Sequence, residues 1–269
     1  DTSPHGTKVG GIAGAQTDNG LGIAGVGFNS SIVPLKVFPN GSDAAVNAYQ
    51  SIVYAADEGY DVINLSWGSA NSYTQAFQDI INYAVLEKNL LLVAAAGNSN
   101  KDEPFYPASY DNVLSVAATN LDDSKASFST YHNYVDIAAP GVAIYTTDNG
   151  GYSNGNGTSF SSPMVAGVAA LVKSQFPELN ALQVMERIRV TADDHYSSNS
   201  SDDLQGKLGS GRLNAYNAVN ASNLISLRGS NVNFYGQNGS DFYYGDSIFV
   251  DFKLTNFLSE VENAQVTIT

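Results

Sequence analysis

The chain of 269 residues is long enough for one large domain and part of another, and for a substantial core. Apolar residues make up 43% and charged residues 14%, a balance that excludes a disordered segment. A formal net charge of -14 with only 12 Lys plus Arg excludes a basic nucleic-acid surface and disfavours anionic membranes, while the lack of Cys excludes disulfides and a thiol nucleophile.

In chain order, Asp1-Thr2-Ser3-Pro4 is a turn-like lead into His5. Val9, Ile12 and Ala13 follow at helical spacing, so His5 stands at a helix start. There the helix dipole disfavours the imidazolium and keeps a neutral base available; a structural histidine is the plainer alternative. Asp18-Asn19-Gly20-Leu21-Gly22 is a turn, and 31–37 reads as a strand. Residues 44–58 carry Val46, Tyr49, Ile52, Val53 and Ala56 at helical spacing, with Gly59 as the stop. Then come a strand at 61–65, a helix at 73–88, and a strand at 90–96 that is apolar on both faces. This alternation implies right-handed crossovers and a parallel sheet with helices on both sides, an α/β fold. Sites in such sheets lie at the carboxyl ends of strands, which is where Ser66-Trp67-Gly68 and Gly97-Asn98 fall. Trp67 reads equally well as a core aromatic. Further strands are expected at 113–118 and 134–138, and a helix at 181–190.

Between them, Gly157-Thr158-Ser159 delivers a hydroxyl to the start of the apolar helix that holds Val165, Val168, Leu171 and Val172. The free N–H groups of a helix start stabilise negative charge beside such an oxygen. Thr-Ser before an apolar helix is also an ordinary cap, so cap and nucleophile both remain open on these residues alone. The run 193–208 is acidic and Ser-rich; a solvated loop accounts for His195 among Asp193, Asp194, Asp202 and Asp203 better than a metal cluster does.

Three blocks, His5-Gly6-Thr7, Ala95-Ala96-Gly97-Asn98 and Gly157-Thr158-Ser159-Phe160-Ser161-Ser162-Pro163, stand in the order His, Asn, Ser. In type and order they resemble the signatures of the subtilisin-like serine proteases, the subtilase family. Weaker echoes are Asn64-Leu65-Ser66-Trp67-Gly68, Tyr106-Pro107-Ala108-Ser109 and Val135-Asp136-Ile137-Ala138-Ala139-Pro140-Gly141. The resemblance implies a three-layer fold over 1–222 and a serine endopeptidase acting on polypeptides. Ser159 would be the nucleophile, His5 the base, and the Asn98 amide with the Ser159 N–H the oxyanion donors. Ser66, Trp67 and Gly68 on one edge, with Gly41 and Ser42 on the other, would bind the substrate backbone. Phe105 falls where the family often has a small residue at the base of the main specificity pocket, and Tyr106-Pro107 where it has a cis peptide. Asp136 matches a structural position and reads as a buried or edge-capping carboxylate, and Gly211-Arg212-Leu213-Asn214-Ala215 followed by Ala218-Val219 resembles the family's closing strand and helix. The family's catalytic order is Asp, His, Ser, and the acid has no counterpart here, so the chain reads as truncated in front, with the Asp outside it.

No cofactor for catalysis is implied. A structural Ca2+ at Asp18–Gly22 competes with a plain Asn-Gly turn, since hard cations need six or more oxygens. The resemblance also implies a secreted, bacterial-looking extracellular protein, a monomer made with a propeptide. From about 223 the texture changes to alternating aromatic and β-branched stretches at 231–235, 246–254 and 261–269, with turns at Gly236, Asn238-Gly239 and Gly245. These resemble the first strands of an immunoglobulin-like β-sandwich, incomplete at 223–269. Two alternatives remain: a non-catalytic, peptide-binding relative, and an adhesion module.

Overall fold

Four parallel strands carry the architecture: β1 (Val62–Leu65), β3 (Leu91–Ala95), β5 (Val113–Thr119) and β6 (Ile137–Pro140), hydrogen-bonded in the order β1-β3-β5-β6. The computed structural model describes residues 4–39, 45–236 and 247–261. Registers run Val62↔Leu91, Leu92↔Val113 and Val116↔Ile137. Consecutive strand residues face opposite sides, and every residue of β3 and β5 is buried, so both faces of the sheet are covered.

Helices α2 (Ala48–Asp57), α3 (Gln75–Asn82), α4 (Thr158–Gln175) and α5 (Ala181–Val190) supply the cover. Ile52, Ile81, Val165, Val168, Val172, Val184 and Ile188 meet the strand residues in one apolar core. α3 is capped by the Thr74 hydroxyl accepting from Phe77 N, and it runs on through a π turn at Tyr83–Glu87 instead of staying α to 88. α4 crosses all four strands. It also lies against α1 (His5–Gly14): a Cβ on Gly167 would stand 2.9 Å from Gly27 N and 3.1 Å from Ala13 O, so only glycine permits this approach. The hairpin of β7 (Ile144–Asp148) and β8 (Gly151–Gly155) closes on α1 from its other side. Short strands β2 (Ser69–Ala70) and β4 (Phe105–Tyr106) pair Ser69 with Tyr106 across the mouth of the sheet.

Two expectations need correction. The strand expected at 31–37 is absent: 31–37 forms no ladder, because among the described residues no strand lies alongside it or along the outer edge of β1. The closing strand at Gly211–Asn214 is reduced to single bridges of Arg212 with Ala138 and Asp193, after which α6 (Ala215–Asn220) follows.

The chain divides into two units, Asp1–Ala221 and Ser222–Thr269. In the second, β9 (Leu227–Gly236) and β10 (Ile248–Asn256) form an antiparallel pair with a register shift between Asp251 and Lys253, and Tyr235 stacks on Phe249 at 5.6 Å. Gly236 ends β9 opposite Ile248 and is no turn. The turns expected at 238–239 and 245, and the strand expected at 261–269 beyond Val261, lie outside the described residues.

Candidate active site

Ser159 is the second residue of α4. The helix begins on Gly157 without any side-chain cap, so the capping alternative fails: the Ser159 hydroxyl is turned away from its own helix and donates to the Ser66 carbonyl at 3.4 Å. Pro163, four residues on, has no N–H for the Ser159 carbonyl. That acceptor is taken by the Ser66 hydroxyl at 2.9 Å, which ties the end of β1 to the first turn of α4. The Ser66 oxygen in turn accepts from Asn64 Nδ2 at 2.9 Å, and Asn64 Oδ1 accepts from the Ser162 hydroxyl at 2.6 Å. One polar network therefore fixes 64–66 against 159–162.

Asn98 follows β3 through Gly97, which takes φ +104. Its carboxamide oxygen is committed: it accepts from Thr158 N at 2.9 Å and from the Thr158 hydroxyl at 3.0 Å. Thr158 Oγ1 itself accepts from Gly97 N at 3.2 Å, and the residue is fully buried. The amide orientation is thus set, with Nδ2 left as a donor. Nδ2 and Ser159 N lie 3.6 Å and 3.7 Å from the point where a Cβ on Gly157 would stand, with Phe160 Cδ2 also at 3.7 Å, so two N–H donors flank one point at the start of α4. As a first-turn N–H, Ser159 N has no partner four residues back in its helix.

His5 opens α1 after Pro4. Its ring lies 6.1 Å from that of Phe160, centroid to centroid, next to Ser159 in the chain. Burial, and secondarily the Lys8 ammonium, push its pKa below the usual histidine value, so the ring is held neutral. Lys8 is itself paired to Asp148 at 3.2 Å. The helix is fastened by Thr146 and Thr147, whose hydroxyls donate to the Lys8 and Thr7 carbonyls at 2.9 and 2.7 Å.

The remaining candidates sort on geometry. Trp67 turns its ring into the core, edge-on to Tyr49 at 5.4 Å, so only its backbone is available at the edge formed by Ser66 and Gly68. Gly41 and Ser42 lie outside the described residues. The Phe105 ring lies against both Gly68 and Gly97: a Cβ on Gly68 would meet its Cε1 at 2.3 Å, and one on Gly97 its Cγ at 2.9 Å. Tyr106-Pro107 is cis. Asp136 accepts from Ser115 N at 3.1 Å, an edge cap. Asn19 Oδ1 accepts from Leu21 N at 2.9 Å, which makes 18–22 an Asn-Gly turn closed on itself.

The solvated-loop reading of 193–208 is overturned at His195. Its side chain is 1% exposed, with neither ring nitrogen hydrogen-bonded within the described protein, because Tyr196, Leu204 and Leu208 pack onto Val135 and Ala138 and draw the segment in. Burial lowers its pKa, with Arg212 adding to the effect and Asp123 and Asp194 opposing it. Among the described residues, no three His, Cys, Asp or Glu side chains group as metal ligands. Sequence reasoning missed Thr158 and Asn64. The signal for Asn64 was there, an amide inside the apolar stretch Val62-Ile63-Asn64-Leu65; Thr158 had none beyond its place beside Ser159.

Residues 1–211 match the Subtilase family, and the chain belongs to it. It is 42% identical over 221 residues to a thermophilic serine proteinase of Bacillus sp. (strain AK1), covering 81% of this chain and 53% of that protein. With thermitase of Thermoactinomyces vulgaris it shares 42% over 217 residues, 80% of this chain and 74% of the other. Among solved structures, a protease of Pseudoalteromonas arctica superposes with a TM-score of 0.72 at 29% identity, covering 81% of this chain and 70% of that one. The chain spans about half the length of the first of these relatives. Among the described residues, no helix is long and apolar enough to cross a membrane.

Proposed function

We propose that the protein is a serine endopeptidase that hydrolyses peptide bonds in polypeptides. The observation that carries this is the pair of donors, Asn98 Nδ2 and Ser159 N, beside a hydroxyl that caps nothing. The Ser159 oxygen attacks the scissile carbonyl, forming the C–O bond while its proton passes to His5. Asn98 Nδ2 and Ser159 N hold the oxyanion that results. His5 returns the proton to the leaving amine as the C–N bond breaks, and water, deprotonated by His5, then releases the acyl group. The carboxylate that orients His5 belongs, in this proposal, to a strand alongside β1, outside this chain. Because His5 must be neutral, activity is present above its lowered pKa and is lost as pH falls through it.

The substrate backbone runs along Ser66, Trp67 and Gly68 on one side and Gly41 and Ser42 on the other. Phe105, against Gly68 and Gly97, shortens the pocket for the acyl-side residue, favouring Ala, Ser or Gly there; Phe105→Ala shifts preference toward Phe and Leu, read as the ratio of kcat/KM between Ala and Phe substrates. No catalytic step needs calcium, and the internal Asn19 bond supports the turn reading over a calcium loop. Secretion, a monomeric state, a propeptide and a β-sandwich built on 223–269 complete the proposal. The decisive experiment is on the intact protein: a serine-directed phosphonyl reagent labels Ser159 and stops proteolysis, and Ser159→Ala lowers kcat by about 10⁶, a magnitude measured on subtilisin of the same family. Normal proteolysis by Ser159→Ala sinks the proposal.

A further inference from the structure

Behind the turn that carries Asn98 sits the Lys125 ammonium. It donates to Asn100 Oδ1 at 2.7 Å, to the Ala126 carbonyl at 3.1 Å and to the Ser129 carbonyl at 3.2 Å, and it lies 5.2 Å from the centre of the Tyr131 ring. All three oxygens are neutral, and among the described residues no carboxylate pairs with it, in a protein with only 12 basic side chains. Its backbone is pinned too, since Lys125 N donates to Asn199 Oδ1 at 2.7 Å. The same segment holds the 97–101 turn residue by residue. Thr130 N donates to the Gly97 carbonyl, Ser99 N to Thr130 Oγ1, Asn100 N to the Phe128 carbonyl, and Tyr131 N to the Lys101 carbonyl. The ammonium gathers both strands of this brace, two residues from Asn98.

We propose that Lys125 is a positioning residue for the Asn98 amide, its ammonium drawing together the oxygens that organise the turn. Neutral oxygens converging on one charge set the turn's geometry with little conformational freedom, and a donor to an oxyanion loses most of its effect when displaced. The inference rests on the reading of Asn98 as an oxyanion donor.

The test uses the intact enzyme. Lys125→Met is expected to lower kcat about tenfold with KM within about twofold, a fraction of what losing the donor outright costs. In an Asn98→Ala background the same change is expected to cost almost nothing further, because the displaced group is already gone. Lys125→Arg falls between wild type and Met. Lys125→Ala should regain kcat saturably with propylammonium and not with tetramethylammonium. If the Met variant does not fold, the Arg variant takes its place in the cycle with Asn98→Ala. An unchanged kcat, losses that add across the cycle, or a change in KM alone overturns the proposal. If Asn98→Ala itself leaves kcat unchanged, the donor assignment is what fails, and the role of Lys125 in catalysis falls with it. Amide exchange at Ser99 and Asn100 in Lys125→Ala, slowed by propylammonium, would still read the cage alone.

Discussion

At one part of the candidate site, the Asn98 carboxamide accepts two hydrogen bonds from Thr158, and the turn that contains it is tied to 128–131 by three backbone bonds and one to the Thr130 hydroxyl. At the other, His5 has a ring contact with Phe160, and its helix is fastened one turn further on by Thr146 and Thr147. The donor side is built within one unit from neighbours that hold each other in place. The base side reaches its position through the helix that bears it, and among the described residues no hydrogen bond holds the ring, which meets the Phe160 ring at 6.1 Å. Hydrogen bonding is therefore unequal across the candidate site: the Asn98 amide is held by two bonds, while the His5 ring has none among the described residues.

The sharpest way to break this contrast is Asn98→Ala. On the donor side it should lower kcat about 10²–10³-fold with KM little changed, a magnitude taken from subtilisin in the same family. A kcat within threefold of wild type, from steady-state kinetics, would mean that the hydrogen-bonded side has no catalytic purpose. Thr158→Val comes next. It keeps the shape, removes one of the two hydrogen bonds that hold Asn98 Oδ1 while the backbone one remains, and leaves buried Gly97 N unsatisfied, so we expect kcat about tenfold lower and stability reduced by about 1–3 kcal/mol in urea titration. A loss of stability without any change in kcat would show that Thr158 does not set the amide.

The smallest effect expected is far from the cleft. His195 is buried neutral with a lowered pKa, facing Asp123, Asp194 and Arg212, so the unfolded chain takes up its proton first as pH falls. Its contribution is fully present above the unfolded value of about 6.5 and is lost below it. Replacing His195 by Gln should flatten the fall in melting temperature below pH 6.5, while the slope above that pH stays as it was. An unaltered profile would place the acid sensitivity elsewhere.

Much of this was legible in the residues, unevenly. His5, Asn98 and Ser159 announce themselves because each needs a local backbone feature, a helix start or a glycine turn, that leaves a mark in its neighbours. β3 declares itself by being apolar on both faces. The segment 31–37 misleads because alternation records which side chains prefer burial and says nothing of whether a neighbouring strand is there to receive the hydrogen bonds. His195 misleads in the opposite sense: polar neighbours suggest solvent, while Leu204 and Leu208, further along, take the segment inward. The bond from Ser66 to the Ser159 carbonyl could have been read from Pro163, since a proline in the second turn of a helix leaves the carbonyl four residues back looking for a donor.

The threonines that hold α1 lie 138 and 140 residues away from their carbonyl partners along the chain. The end of α1 is held by nearby backbone, Val26 N and Gly27 N donating to the Ile12 and Ala13 carbonyls, but the turn that bears the imidazole gains these hydroxyl partners only when the β7–β8 hairpin docks. Contacts of such long span form slowly, because the intervening loop must close before they repay its entropy. Placement of the imidazole beside the rest of the cleft is therefore expected among the late steps of folding, tied to the closure of a span of some 140 residues.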